Sequence, residues 1–227
     1  MADVSMEGLR TRVRVAMDEN GTTTALLAAK DAETLALDEL IDEKLLTAVR
    51  DVELRAPWTL LDGENVEENT EDTEGEMVLM GRDLAEDKFM WRMKLPERML
   101  RLLRVKLTRW KTAARIISAE DAEYRWQQSR WTGVGGTAEK PVAAVVPGED
   151  GSLWLELYSL PKDEGRLQYC TMVMEPTVEK GTIVGVSARL EDAIVHLAAA
   201  MTCATLGETQ TAEKLESVAW RLAGVNG

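Results

Sequence analysis

Three runs of alternating residues, separated by two turn sequences, limit the possible folds of this chain more than any other feature. The runs cover residues 142–146, 153–158 and 167–173, and mainly apolar side chains (Val142, Ala144 and Val146; Leu153, Leu155 and Leu157; Leu167, Tyr169, Thr171 and Val173) occupy alternate positions in them. The connections, residues 147–151 and 161–165, each begin with Pro and end with Gly. Period-two alternation is typical of strands, and short connections of this kind join antiparallel neighbours. The sequence therefore predicts an antiparallel meander of three strands.

Helical patterns lie on both sides of this β region. Apolar residues recur at steps of three or four over residues 3–17 and 35–55. Two further helices are predicted near the C-terminus, capped by Ser187 and Thr209 and separated by Gly207. Between the helical ends, the sequence predicts β runs at 76–80 and 88–94 flanking Gly81, a helical turn at 97–103, a strand at 103–107 and a short helix at 120–129.

The order of these elements predicts an α+β fold, in which N-terminal helices and a C-terminal helical hairpin pack with a central antiparallel β region. We divide the chain into an N-terminal helical region (1–61), an acidic loop with a β-rich body (62–187) and a C-terminal helical hairpin (188–227). The hairpin is expected to form one unit with residues 1–61.

Charge is concentrated in two segments. Residues 62–76 hold eight acidic residues and no Lys or Arg, while residues 92–115 hold nine basic residues and one Glu. The whole chain has a net charge of −13, which argues against a surface that grips DNA phosphates throughout. The acidic run is interpreted as a solvated loop or as a surface that meets a partner or a DNA channel. Its acids do not follow the ligand order of a calcium-binding EF-hand loop.

The basic segment has three interpretations. Trp91 and Trp110 are interleaved with its cations, a pattern that fits nucleic-acid binding. A strand with Arg104, Lys106 and Lys111 at outward positions fits equally well a charged sheet edge that discourages aggregation. The same strand also fits a face that pairs with an acidic neighbour.

Residues suited to catalysis or metal binding are few. The glycine-rich loop 133–136 lacks the Lys-Ser or Lys-Thr of a P-loop and the strand and helix of a dinucleotide site. Asp192, His196 and Cys203 share a helix face, with Cys170 as a further candidate ligand, but one His and two Cys cannot build a multi-His or multi-Cys zinc site. We therefore predict no catalytic residues, no metal site and no cofactor, with both cysteines as buried thiols.

The aromatic composition favours interfaces. The chain has seven Trp and one Phe. Aromatic residues are enriched where proteins meet, and Trp126 and Trp131, beside Arg125 and Arg130, are the predicted interface residues. The longest apolar runs fall short of the roughly 18 residues of a membrane span, and the N-terminus lacks the layout of a signal peptide. We expect a soluble protein made in a reducing cytoplasm.

The order of elements and several short signatures resemble the phage head-to-tail adaptor (connector) proteins of the tail tubular protein A type. The resemblance covers residues 35–223. The matching positions are Leu95-Pro96, residues 121–128, Pro141, residues 157–163, residues 167–169, Pro176, and the helices at 188–206 and 210–223. The acidic run 62–76 is longer than the family pattern.

The resemblance implies a structural role in the virion without enzymatic turnover. Such adaptors form a homo-oligomeric ring, usually a dodecamer, between the portal protein and the tail or nozzle proteins at the capsid vertex. Genomic DNA passes through the ring during ejection without sequence-specific binding, and the ring is assembled in the host cytoplasm without a membrane partner. An acidic lumen would keep DNA from adhering, and acidic and basic faces of adjacent subunits would attract. The alternatives are another neck or tail ring component of a virion, or a non-viral protein-binding module.

Overall fold

The computed structural model describes residues 2–19, 32–66, 80–85, 88–127, 135–158 and 166–225. It divides into two compact units. One, which we call the helical unit, combines Met1–Gly63 with Val173–Gly227, and the other, the β unit, is Glu64–Met172. Mixed helices and largely antiparallel sheets confirm the predicted α+β class.

The elements follow one another along the chain as follows. They are β1 (Ala2–Ser5), α1 (Met6–Glu19), α2 (Ala32–Arg55), β2 (Glu64–Val66), β3 (Met80–Ala85), β4 (Lys88–Lys94), β5 (Met99–Leu107), β6 (Arg115–Ser118), α3 (Ala122–Gln127), β7 (Val142–Pro147), β8 (Leu153–Tyr158), β9 (Leu167–Met174), β10 (Thr177–Glu179), β11 (Thr182–Val186), α4 (Glu191–Thr205) and α5 (Thr209–Leu222). Single 3₁₀ turns precede the acidic segment (Trp58–Leu60) and α4 (Ala188–Leu190).

Helix α4 is the centre of the helical unit. It packs against α1, α2 and α5, and it is apolar on nearly every face, as a helix surrounded by others must be. Helix α2 has a narrower apolar face than α4, and Ile41, Leu45 and Val49 on that face are fully buried. The three-stranded sheet β1-β11-β10 completes the unit.

The predicted helices are confirmed, with changes at their ends. The first helix begins at Met6 instead of residue 3 because the preceding residues pair with β11 as strand β1. Gly207 ends α4 with a φ of +87°, a left-handed conformation that glycine adopts without strain. The predicted capping role of Ser187 is wrong, since its hydroxyl makes no cap bond and instead accepts a hydrogen bond from the Asp62 N–H. Thr209 is the first residue of α5 and also makes no cap bond.

The β unit contains a five-stranded sheet, β3-β4-β8-β7-β6, and a three-stranded sheet, β2-β9-β5. Strands β7 and β8 are antiparallel neighbours as predicted, while β6 runs parallel to β7. The predicted meander is wrong in its third strand. Strand β4 pairs with the second edge of β8, so β9 pairs instead with β2 and β5 in the other sheet.

Three central predictions also change. Residues 97–103 do not form a helical turn, because residues 99–107 pair as strand β5 beside β9. Gly81 lies inside β3, opposite Trp91 of β4, and does not separate two strands. Residues 115–118 form a strand that local alternation does not reveal. For β5 and β6, pairing with a strand distant in the sequence overrides the local pattern.

Strand β8 is covered on both faces. Leu155 and Leu157 are fully buried, and so are Glu156 and Tyr158 between and beside them, each at most 5% exposed. Glu156 and Tyr158 alternate with the leucines along the strand, so both faces of its second half lie inside the β unit.

Candidate interaction surfaces

Helix α3 presents a large aromatic side chain at the surface of the β unit. Trp126 is 50% exposed, and Arg125 beside it is exposed as well. Trp131 and Arg130, predicted together with this pair, lie outside the described residues. An exposed tryptophan on a short helix needs other groups to fix the helix, because six residues cannot stabilise themselves.

A buried carboxylate fixes the middle of α3. The phenol of Tyr124 donates a hydrogen bond to Glu156 Oε2 over 3.0 Å, and the phenol of Tyr158 donates to the same oxygen over 2.6 Å. Burial, followed by the neighbouring carboxylate, raises the pKa of Tyr158. The neutral phenol is therefore retained as a donor, and Glu156 connects α3 to the strand beneath it.

A buried amide and an ion pair fix the two sides of α3. Gln127 is 4% exposed, and its side-chain oxygen accepts a hydrogen bond from the Gly136 N–H over 2.8 Å. Its amide nitrogen donates to the Glu123 carbonyl oxygen over 3.5 Å, while the Glu123 carboxylate pairs with Arg115 of β6. The helix is thus held to β6, to β8 and to the segment around residue 136.

A cavity of about 550 Å³ lies beside Trp126. Gly135, Gly136 and Pro141 give it an apolar wall with little side-chain bulk. We use the term tryptophan ledge for the surface formed by Trp126, Gly136, Lys140 and Pro141.

Charged side chains of both signs lie around the ledge. Lys111 pairs with Glu139 and lowers the pKa of that exposed carboxyl, and Arg115 is already paired with Glu123. Arg125 and Lys140 are exposed, and neither pairs with an acidic residue in the part of the chain that the structure describes.

A second cavity of the β unit, of about 730 Å³, lies over β4 and β8. The Arg92 guanidinium carbon lies 4.1 Å from the centre of the Trp154 ring, a cation–π contact. Asp150 is held by hydrogen bonds from Ser152, which lower the pKa of its carboxyl, and it lies 3.7 Å from Lys94. Glu149 also lines this cavity.

The helical unit carries a row of ion pairs along α1. Arg10 donates two hydrogen bonds to Asp42, Arg14 donates one to Asp38, and both acceptors lie on α2. Arg12, on the opposite side of α1, pairs with Glu191 and Asp192 at the start of α4. These contacts join α1 to its two neighbours.

A buried carboxylate also lies inside the helical unit. Glu53 of α2 has no exposed surface, and its Oε1 accepts a hydrogen bond from the Ser187 N–H over 3.0 Å. Desolvation by burial raises the pKa of Glu53 to about 7, although the bonds from Ser187 oppose the shift. Asp62 Oδ2 accepts from the Ala188 N–H in the same region and contributes repulsion.

Exposed apolar residues of the helical unit gather near the end of α2. Leu54 is 41% and Trp58 is 58% exposed. Arg55 lies over the Trp220 ring of α5 at 4.6 Å from its centre. A groove of about 490 Å³ runs between α2 and the start of β10, where Arg50 lies 3.7 Å from Glu175.

The sequence candidates for metal binding and catalysis do not come together. Asp192 is engaged with Arg12, and His196 Nδ1 lies 2.7 Å from the Asp192 carbonyl oxygen. Cys203 and Cys170 are buried thiols, and burial raises their pKa values to about 11 and about 12. Across the described ranges, no group of three or more His, Cys, Asp or Glu is arranged to hold a metal ion.

The charged segments are described only in part. Of the acidic run, Asp62 and Glu64 lie within the described residues, and residues 67–76 lie outside them. In the basic segment, Arg104 is exposed on β5, an edge strand, and lies over Tyr169, an arrangement that fits a charged sheet edge. Trp110 is buried, so it does not offer a ring for stacking with bases. In the glycine-rich loop, residues 133 and 134 also lie outside the described residues. Gly135 and Gly136 line the cavity beside Trp126.

Comparison with known proteins gives no match: neither a family model nor a curated protein matches this chain. Among the helices that the structure describes, none has the length and apolar character needed to span a membrane. The functional conclusion therefore depends on the chain's own residues and on the resemblance in element order.

Proposed function

We propose that this chain is a virion structural protein, a head-to-tail adaptor that forms a ring between the portal and the tail and extends the DNA channel. The observation that carries the proposal is the arrangement of the two termini. Helices α1 and α2 pack with α4, which in turn packs with α5, and the β unit is inserted between them in the sequence. This is the element order that the adaptor resemblance implies.

The distribution of polar groups supports a binding role. Buried Glu156 and Gln127 hold in place a short helix that carries an exposed tryptophan. Burying polar groups costs free energy, and a binding surface is a reason to fix the helix in this way. In the helical unit, Arg10, Arg12 and Arg14 form ion pairs within the unit. A subunit of a ring needs surfaces through which neighbouring copies meet.

Co-assembly with the portal protein encoded by the same genome tests the proposal. The full chain would be mixed with purified portal rings, and the mass of the product measured by native mass spectrometry. We expect a complex in which every portal subunit recruits one copy of the chain, since matched rings bury the most interface. A chain that remains monomeric in the presence of portal rings, over a range of salt concentrations, contradicts the adaptor role. If the chain bound to portal rings only after a separate neck protein was added, the result would favour the alternative that it is another neck or tail ring component.

A further inference from the structure

We infer that residues 59–62 and 187–189 form a latch that protonated Glu53 holds closed and ionised Glu53 opens. The two segments meet inside the helical unit, and the chain leaves that unit after Gly63. We use the term latch for these two segments and the hydrogen bonds between them. The inference concerns a conformational change within one unit, and it goes beyond the proposed function, on which it does not rest.

Three hydrogen bonds close the latch. The Asp62 N–H donates to Ser187 Oγ over 2.9 Å, and the Ala188 N–H donates to Asp62 Oδ2 over 3.3 Å. The Arg189 guanidinium donates to the Thr59 carbonyl oxygen over 3.1 Å. The bonds from Ala188 and Arg189 are exposed, so water competes for the same groups and each bond contributes little net stability. A change of charge close to such a contact is sufficient to open it.

Ser187 connects the latch to Glu53. The side chain of Glu53 has no exposed surface, and its Oε1 accepts a hydrogen bond from the Ser187 N–H over 3.0 Å. The hydroxyl of the same serine accepts from the Asp62 N–H, so one fully buried residue contacts both acidic residues. A displacement of Ser187 that admits water to Glu53 therefore breaks the bond to Asp62 as well.

The surroundings of Glu53 disfavour its charge. Burial raises the pKa of Glu53 to about 7, the bonds from Ser187 oppose that shift, and the Asp62 carboxylate adds to it. The cation of the latch, Arg189, is directed to the Thr59 carbonyl oxygen. Ionisation of Glu53 thus places a second negative charge beside Asp62.

Charged groups on the helices packed around α2 are engaged with other partners. The ion pairs are Arg10–Asp42 and Arg14–Asp38 between α1 and α2, Arg12 with Glu191 and Asp192 between α1 and α4, and Arg50–Glu175. Arg55 lies over the Trp220 ring, and His196 Nδ1 of α4 lies 2.7 Å from the Asp192 carbonyl oxygen. Asp62 is the charged group that acts on the pKa of Glu53.

The proton that leaves Glu53 passes to the solvent, and water stabilises the resulting carboxylate once the latch opens. Opening also separates the carboxylate from Asp62, so the pKa of Glu53 falls toward its ordinary value of 4.5. Because the closed latch binds the proton more tightly, it is favoured at low pH. The equilibrium constant for opening should rise by up to about tenfold per pH unit between pH 4.5 and about 7.

Amide hydrogen exchange of the full chain tests the latch. The rates are measured by NMR from about pH 5 to about pH 8 and are corrected for the intrinsic pH dependence of exchange. We expect the protection of the Asp62, Ser187 and Ala188 amides to fall as the pH rises to about 7.

Two reference amides separate the latch from other motions. The amide of Ala199, buried inside α4, exchanges when the helical unit unfolds, and the latch amides should be less protected than this one. The amide of Gly207, bonded to the Ala204 carbonyl oxygen at the end of α4, opens without Glu53 and should keep its protection across the pH range.

Three variants identify the group that titrates. Glu53→Gln keeps an oxygen for the Ser187 N–H and does not ionise, so its latch amides should stay protected at pH 8. Asp62→Asn removes the repulsion and keeps an oxygen for the Ala188 N–H, so it should reduce the pH dependence. Glu213→Gln, at an exposed position on α5, is the matched control and should behave as the wild type. Circular dichroism confirms that each variant is folded.

Three results would overturn the inference. The first is protection of the latch amides that does not change with pH in the wild type. The second is an unchanged pH dependence in Glu53→Gln. The third is protection of the latch amides equal to that of Ala199 at every pH, since the latch would then open only with the whole helical unit. None of these measurements involves portal rings, so the latch and the adaptor role are tested separately.

Discussion

The phenol of Tyr124 on α3 donates a hydrogen bond over 3.0 Å to the carboxylate of Glu156, a buried residue of β8. This one contact connects the interior of the β unit to the helix that presents Trp126. It makes the exposed surface dependent on a residue that no partner would touch.

Tyr124→Phe should therefore loosen α3 and lower the free energy of unfolding by about 1–2 kcal/mol, the usual cost of removing one partner of a buried hydrogen bond. Urea unfolding gives the stability, and hydrogen exchange of residues 122–127 gives the local effect. Tyr169→Phe is the control, since within the described residues that hydroxyl accepts its hydrogen bond from the exposed Arg104 guanidinium. Equal exchange in both variants would show that Glu156 does not hold the helix.

Glu53 should make the stability of the helical unit depend on pH. Its pKa is raised from 4.5 to about 7, so the folded state binds the proton more tightly than the unfolded state does. The group contributes stability below pH 4.5, and that contribution, about 3 kcal/mol, is lost as the pH rises through about 7.

Glu53→Gln keeps an oxygen for the Ser187 N–H and removes the titration. We expect the variant to be more stable than the wild type at pH 8 and to lose the difference near pH 5, as measured by thermal or urea unfolding. Glu213→Gln, an exposed position on α5, should show neither effect. A wild-type advantage at pH 8 would contradict the assignment.

Asp38 should contribute an ionic contact that salt weakens. It accepts a hydrogen bond from Arg14 over 2.5 Å and lies 3.7 Å from Arg10, in a partly exposed position. Asp38→Asn should cost about 1 kcal/mol at low salt and less at 1 M salt, because screening already weakens the pair in the wild type. Glu39→Gln on the exposed face of the same helix is the matched control. A cost independent of salt would point to packing instead of charge.

Gly148 should not tolerate a side chain. A Cβ atom there would lie 2.7 Å from Trp154 Nε1 and 2.9 Å from side-chain oxygens of Asp150 and Ser152. Gly148→Ala should lower stability by about 1–2 kcal/mol and disturb the contact between Arg92 and Trp154, which tryptophan fluorescence reports. Gly8→Ala on α1, where the nearest atom is 3.7 Å away, should be neutral or stabilising by up to about 1 kcal/mol. Equal effects at both sites would contradict the crowding seen around Gly148.

Helical periodicity predicted the fold best where it persists over many turns. The steps of three and four along α2 and α4 reflect faces that are buried along the whole helix, so local sequence is sufficient. Alternation in residues 167–173 correctly indicated a strand. The alternation could not indicate which sheet the strand joins. Strand β4 occupies the edge of β8 at which β9 was predicted to pair, so β9 lies in the other sheet.

The buried carboxylates were missed for a different reason. Glu53 and Glu156 look like surface residues in the sequence, and their partners Ser187 and Tyr124 lie 134 and 32 positions away. Only tertiary structure brings such groups together. Trp126 is exposed, and its role at an interface stays a prediction.

Cryo-electron microscopy of the particle whose genome encodes this chain tests the central claim most directly. The account predicts a ring of copies of this chain at the single portal vertex, enclosing the DNA channel between the portal and the tail. Particles that lack the chain, or that carry it away from that vertex, would contradict it.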